Sequence, residues 1–154
     1  MGEMLGRRLR QERFEGPHHE ALLALLLANA AVETMLGHAF EGSGVTVPQY
    51  NVLRILNGVY PGAHSRGEIA GRMVRRAPDL TRMLDRLERM GLVERTKGDL
   101  DHRQSLARIT GKGRELLEGM HPKVAQINQI LSRRLTEQEA KSLAVLLEKV
   151  YGED

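Results

Sequence analysis

Three arginines have the most telling spacing in this chain. Asp79, Arg82, Arg86 and Arg89 fall 3, 4 and 3 residues apart, which puts them on one face of a helix. A guanidinium is planar and permanently charged, and it presents two parallel donors. On a helix lying in the major groove of B-DNA, such a fork bonds guanine O6 and N7 together. The same pattern also fits a solvent-facing helix laced by Asp79–Arg82 and Asp85–Arg89 ion pairs. The choice between the two depends on what flanks the helix.

A second cluster follows. Arg95, Lys97, Asp99, Asp101, His102 and Arg103 crowd a polar stretch around Gly98. A protruding tip with one outstretched arginine can enter the minor groove, where narrow A·T-rich stretches concentrate negative potential. Asp101, two residues from Arg103, can hold that arginine or brace the tip. A charged turn that serves only solubility is the alternative.

Other chemistries are poorly supported. The chain has no Cys, so disulfides, thiolate metal sites and thiol redox sensing are excluded. His18 and His19 are adjacent, so on a helix they point about 100° apart. No His or carboxylate cluster stands beside them at ligand spacing, and no metal is expected. Ser43 and Ser65 have no visible His–Asp arrangement, and Ser65 is better explained as a helix cap. There is no Gly-rich phosphate loop. The expectation is a protein that is not an enzyme and carries no cofactor.

The charge is localised. Of 154 residues, Lys and Arg number 23 and Asp and Glu 20, a net of +3. From Ser65 to Arg114 the count is 13 basic against 7 acidic; residues 1–64 carry 5 against 6, and residues 115–154 carry 5 against 7. A basic patch on a near-neutral body is the footprint of a nucleic-acid binder. Aromatic residues make up 3% and Trp is absent, so the core rests on aliphatic side chains, which suits packed helices. Met1 to Glu15 is charged throughout, without the apolar centre of a secretory signal. The apolar run from Ala21 to Leu27 is too short to span a bilayer. A cytoplasmic protein with no membrane partner is the expectation.

The elements that would position the arginines can be read from caps and periodicity. Pro17 opens a long helix through Phe40. Leu22, Leu23, Leu26, Ala30, Val32 and Met35 recur at helical spacing, but apolar residues surround most of its circumference, as on a helix buried on several sides. Thr46…Gln49, Ser65…Glu68 and Thr136…Glu139 have the capping-box pattern. Pro61-Gly62 marks a turn. Met73 to Ala77 is just long enough for the turn of a helix-turn-helix. Pro78, fit for a first helical turn, opens a helix to Met90 with Leu80, Met83, Leu84 and Leu87 inward, closed by Gly91. Leu92–Thr96 and Ser105–Ile109 read as a hairpin. Thr110 caps a long helix from Gly111 to about Arg134, where Pro122 predicts a kink. Leu143, Leu146, Leu147 and Val150 stripe the last helix.

In this order the chain resembles the MarR (multiple antibiotic resistance regulator) family. Thr46-Val47-Pro48-Gln49-Tyr50-Asn51-Val52-Leu53 resembles the family's second-helix signature, and Ser65-Arg66-Gly67-Glu68-Ile69-Ala70 the first helix of its DNA-binding motif. Asp79-Leu80-Thr81-Arg82-Met83-Leu84-Asp85-Arg86-Leu87-Glu88 is similar to its recognition helix. Gly91 to Arg95, Asp101-His102-Arg103 and Ile109 to Gly113 complete the wing and its exit. The resemblance spans about residues 18–151 in unbroken order. Gly67, and Gly111 where an acidic residue is common, depart from the pattern.

The resemblance implies a mainly α fold with a small β-hairpin wing: a winged helix-turn-helix with a helical dimerisation region. Residues 1–16 form an N-terminal arm, 17–44 and 111–154 the dimerisation region, and 45–110 the DNA-binding lobe. It implies a homodimer on double-stranded DNA, a repressor on a pseudo-palindrome. Pro78, Asp79, Thr81, Arg82 and Arg86 belong to the recognition helix. Ser65, Arg75, Arg76 and Arg89 support it, and Arg95, Lys97, Asp101 and Arg103 form the wing site, with Arg103 in the minor groove. Many members bind small aromatic anions at the junction of lobe and dimer helices. His38, Tyr50 and Arg54 could face that junction, and a small aromatic carboxylate or phenol is the expected effector; a core-edge role for the three residues is the alternative. A ligand-independent regulator, or a winged-helix module that binds protein instead of DNA, remain alternative readings.

Overall fold

The computed structural model describes residues 3–97 and 105–152. The chain divides into two compact units, Met1–Ala39 and Phe40–Asp154. The first holds α1 (Glu3–Leu9) and nearly all of α2 (Pro17–Phe40). A short helix thus occupies much of the stretch read as an arm. On α2, Leu22 and Leu26 are 53% and 56% exposed, so much of its apolar surface has no cover within the chain. By length and composition α2 could cross a membrane. Isolated polar residues such as Asn29 and Glu33 interrupt its apolar sequence, so no single unbroken run shows that length.

The second unit begins with a turn at Glu41–Gly44, where Gly42 and Gly44 adopt φ of 71° and 77°. In α3 (Val47–Asn57) the Thr46 hydroxyl accepts from the Gln49 backbone N–H, and the Gln49 side chain accepts from the Thr46 N–H. Reciprocal capping satisfies two donors that a helix start leaves orphaned. β1 (His64–Ser65) leads directly into α4 (Arg66–Arg72), then α5 (Leu80–Arg89), β2 (Val93–Lys97), β3 (Ser105–Ile109), α6 (Gly111–Ser132) and α7 (Glu137–Tyr151).

The three strands are antiparallel in the order β1-β3-β2. Val93 pairs with Ile109 and Lys97 with Ser105, while His64 faces Ala107. The expected hairpin is therefore present, joined by a third strand. Two residues are too few for any periodicity, so β1 could not be read from the sequence. The core is aliphatic: Val52, Leu53 and Leu56 of α3, Ile69 of α4, Leu80, Leu84 and Leu87 of α5, and Leu92, Val93, Ala107 and Ile109 of the sheet are all buried. Leu117, Met120 and Ile127 of α6 are also buried, whereas α7 buries nothing.

One boundary differs from expectation. Helix α5 begins at Leu80, so Pro78 and Asp79 belong to the turn, and Asp79 makes no side-chain cap. Its conformation, φ −114° and ψ 37°, is not the extended one that aims a capping oxygen at the helix start. Helix α6 continues through Pro122. Thr110 caps it as expected, accepting from the Gly113 N–H at 3.1 Å. Gly113 is required here: a Cβ would meet the Leu92 carbonyl oxygen, and Ile109 Cγ1 at 2.7 Å.

Candidate nucleic-acid interface

The interface is built on α4, the turn 73–79, and α5. Ser65 caps α4: its hydroxyl accepts from the Glu68 N–H at 3.3 Å, and Glu68 Oε2 accepts from the Ser65 N–H at 2.7 Å. The hydrogen bonds from Ser65, backbone first and hydroxyl second, hold the Glu68 carboxyl below its ordinary pKa. After α4 the chain must reverse without regular backbone pairing. Asn51 of α3 supplies an anchor, its Oδ1 accepting from the Val74 N–H at 3.1 Å. Sequence reasoning missed Asn51, which has no local signal because its partner lies 23 residues away.

Helix α5 ends cleanly. Gly91 adopts φ 72°, the Gly91 N–H donates to Glu88 O at 2.8 Å, and the Leu92 N–H donates to Leu87 O at 3.0 Å. This is a Schellman ending, which needs the left-handed conformation a glycine accepts freely. Lys112 adds a cation at the same end, donating to Met90 O at 2.8 Å, where the helix dipole is negative.

With Leu80, Leu84 and Leu87 pinned inward, the opposite side must face out. Thr81, Arg82, Arg86 and Arg89 are exposed, as are Pro78 and Asp79 at the helix entry and Arg75 and Arg76 in the turn. Asp79 Oδ2 accepts from Arg82 at 3.2 Å, with both side chains largely in solvent. This is one of the two ion pairs foreseen for a plain surface helix. The other does not form. Arg89 Nε donates to the backbone carbonyl of Asp85 at 3.3 Å, while the Asp85 carboxylate takes Arg95 of β2 at 2.8 Å.

Arg95 therefore stands apart from the arginine face. Its guanidinium also lies 3.8 Å from Glu88 and donates to Ser105 Oγ at 3.3 Å. At 25% side-chain exposure, it ties the wing strand to α5. Lys97 ends β2. Asp101 and Arg103 lie outside the described residues. Of the residues assigned to an effector site, Tyr50 is half-buried against Phe40, ring centroids 5.0 Å apart and edge-on. Arg54 is exposed one turn further along α3, and His38 is exposed on α2, in the other compact unit. Among the described residues no cluster of three or more His, Asp or Glu forms a metal cage.

The MarR family model matches residues 45–105, which span α3 to the start of β3. The chain is similar to the multiple antibiotic resistance protein MarR of Escherichia coli, 43% identical over 72 residues, 46% of this chain and 50% of that protein. It thus spans about half the length of that curated relative. Solved structures match over more of their length. A MarR transcription factor from Planctomyces limnophilus is 32% identical, with a TM-score of 0.67, covering 88% of this chain and 98% of that one. A mutant Escherichia coli MarR complexed with operator DNA gives a TM-score of 0.73 at 29% identity, covering 83% and 91%. BpsR of Bordetella bronchiseptica, solved to explain regulation of its DNA binding by 6-hydroxynicotinic acid, gives 0.73 at 26%, covering 85% and 94%. These relatives are transcription regulators and not enzymes.

Proposed function

The chain belongs to the MarR family, and on that premise we propose that it is a sequence-specific, double-stranded DNA-binding transcriptional regulator. It acts in the cytoplasm as a homodimer and represses by covering a pseudo-palindromic operator. The observation that carries this reading is α5 itself, with Leu80, Leu84 and Leu87 buried on one side and Arg82, Arg86 and Arg89 exposed on the other. A helix of that cross-section fits the major groove with its arginines toward the bases.

Thr81 and Arg82 read base edges, and Arg86 holds a phosphate. The 3.2 Å contact with Asp79 pre-orients the Arg82 fork before DNA arrives. Ser65, Arg75, Arg76 and Arg89 hold flanking phosphates. Arg95 braces the wing instead of touching DNA, since Asp85 and Glu88 already hold it. Lys97 and Arg103 work from the wing, with Arg103 in the minor groove beside Asp101. Residues 45–110 form the DNA-binding lobe, residues 1–16 the arm, and 17–44 with 111–154 the dimerisation region.

Dimerisation is supported by apolar side chains with no cover within the chain. Leu22 and Leu26 of α2, Leu131 of α6, and Leu143, Val145, Leu146, Val150 and Tyr151 of α7 are each at least 42% exposed. Soluble monomers rarely carry apolar patches of that extent. A partner copy accounts for the composition of α2 without a membrane. Two recognition helices related by a two-fold axis then call for half-sites about one turn, roughly 10 base pairs, apart.

Ligand control is the finer part of the reading. A small aromatic carboxylate or phenol, with His38, Tyr50 and Arg54 as its candidate contacts, releases the operator by favouring a different half-site spacing. The matched BpsR, whose DNA binding 6-hydroxynicotinic acid regulates, supports an effector of this class. Gel shifts against genomic fragments test the whole. The expected result is saturable, competitor-resistant binding to a few fragments, weakened by the effector. Uniform weak binding to every fragment contradicts it.

A further inference from the structure

We propose that His64 is a positioning residue for DNA binding, a neutral imidazole that ties the end of α4 to the wing sheet and lets go when it is protonated. The inference rests on the DNA-binding reading above and adds a pH dependence to it.

His64 is a buried polar residue, 5% exposed, on the short strand that leads into the helix-turn-helix. Its Nε2 lies 2.9 Å from Nη1 of Arg72. A guanidinium has donors only, so Nε2 must be the acceptor and carries no proton. The ring proton therefore sits on Nδ1, which lies 3.5 Å from Glu68 Oε1 and has no hydrogen-bond partner. The imidazole is neutral in this arrangement, and its tautomer is set by Arg72.

The position of Arg72 gives the contact its consequence. Arg72 is the last residue of α4, and the turn that presents α5 begins at the next residue. His64 pairs with Ala107 of β3, so the His64–Arg72 bond fastens the start of that turn to the wing sheet. Protonation puts a hydrogen and a positive charge on Nε2, facing a guanidinium that can neither accept the one nor tolerate the other. The bond is replaced by repulsion between two cations, one of them buried.

The surroundings do not cancel this. On α4, Glu68 faces His64, but its side chain is half-exposed and its Oε2 is engaged by the Ser65 N–H. On β3 the residue opposite is Ala107, and the neighbouring Arg108 points to the other side of the sheet, where it pairs with Glu94 at 3.6 Å. Glu68, already held below its usual range, stays ionised on mild acidification and so adds no charge change of its own. The sign follows from which state takes up the proton. The DNA-competent arrangement requires unprotonated Nε2, so affinity is full at neutral to alkaline pH and falls on acidification.

The test is operator binding by fluorescence anisotropy from pH 8.0 to 5.5 at constant ionic strength, on the dimeric full chain. Wild type is expected to lose about tenfold per protomer. His64→Gln keeps an acceptor for Arg72 and is expected to be flat within about twofold. Arg72→Gln keeps the imidazole and removes the cation; it should bind more weakly at neutral pH and also lose the dependence. His18, His19, His38 and His121 serve as internal controls, since they are present in every variant. A wild-type profile without slope, or an equal slope in His64→Gln, overturns the proposal. Hydrogen exchange at Met73 and Val74 reads the same switch without DNA, expected to quicken on acidification in wild type beyond the intrinsic rate but not in His64→Gln. If no fragment binds at any pH, the DNA-binding reading fails, and the exchange data still decide whether His64 fastens the turn.

Discussion

Helices α5 and α7 carry similar apolar stripes and meet opposite fates. In α5, Leu84 and Leu87 are fully buried within the chain, and its arginines are left outside. In α7, Leu143, Val145, Leu146 and Val150 are 43–65% exposed, and the helix buries nothing. One helix is finished by its own lobe and offers charge to a partner. The other is unfinished and offers hydrocarbon. The two surfaces suit two kinds of partner, a polyanion for α5 and a second copy of the chain for α7.

Mutations can break that contrast. Leu84→Ala removes a fully buried side chain and is expected to cost about 2–5 kcal/mol of stability, the range for a core cavity; urea unfolding measures it. Leu146→Asp is expected to leave the helical circular dichroism of the lobe intact while raising the dimer dissociation constant at least about a hundredfold, or about 2.7 kcal/mol. Sedimentation equilibrium reads that change. A variant that unfolds at micromolar concentration would mean that α7 belongs to the chain's own core. The smallest effects lie at the helix starts. Thr136 accepts from the Glu139 N–H at 3.3 Å, so Thr136→Ala should cost about 1 kcal/mol. Asp79 makes no such bond, and Asp79→Ala should stay within about 0.5 kcal/mol. Thermal unfolding of the pair compares them directly.

The parts of the fold legible in the sequence were those written in local rules. All three capping boxes form as their Ser/Thr…Glu/Gln spacing demands, and Gly91 closes α5 because a positive φ is needed there. The face shared by Arg82, Arg86 and Arg89 followed from helical period alone. What could not be read depends on distant partners. Arg95 belongs to the wing cluster by sequence, but its partner Asp85 lies ten residues earlier, beyond the reach of any local pattern. His64 carried no pattern, because its meaning comes from β3 and from the end of α4. Pro78 lies two residues before α5 instead of in its first turn, because proline fits both a first helical turn and the approach to it.

The central claim is that Arg82 on α5 reads DNA sequence, and the most direct measurement is a binding titration of wild type and Arg82→Ala over a panel of single-base operator variants. The account predicts a loss of about 1–3 kcal/mol per half-site and a flattened preference at one base pair in each half, while Arg86→Ala weakens every variant about equally. If Arg82→Ala keeps the wild-type specificity profile, Arg82 does not read a base and the assignment of α5 as the recognition helix is contradicted.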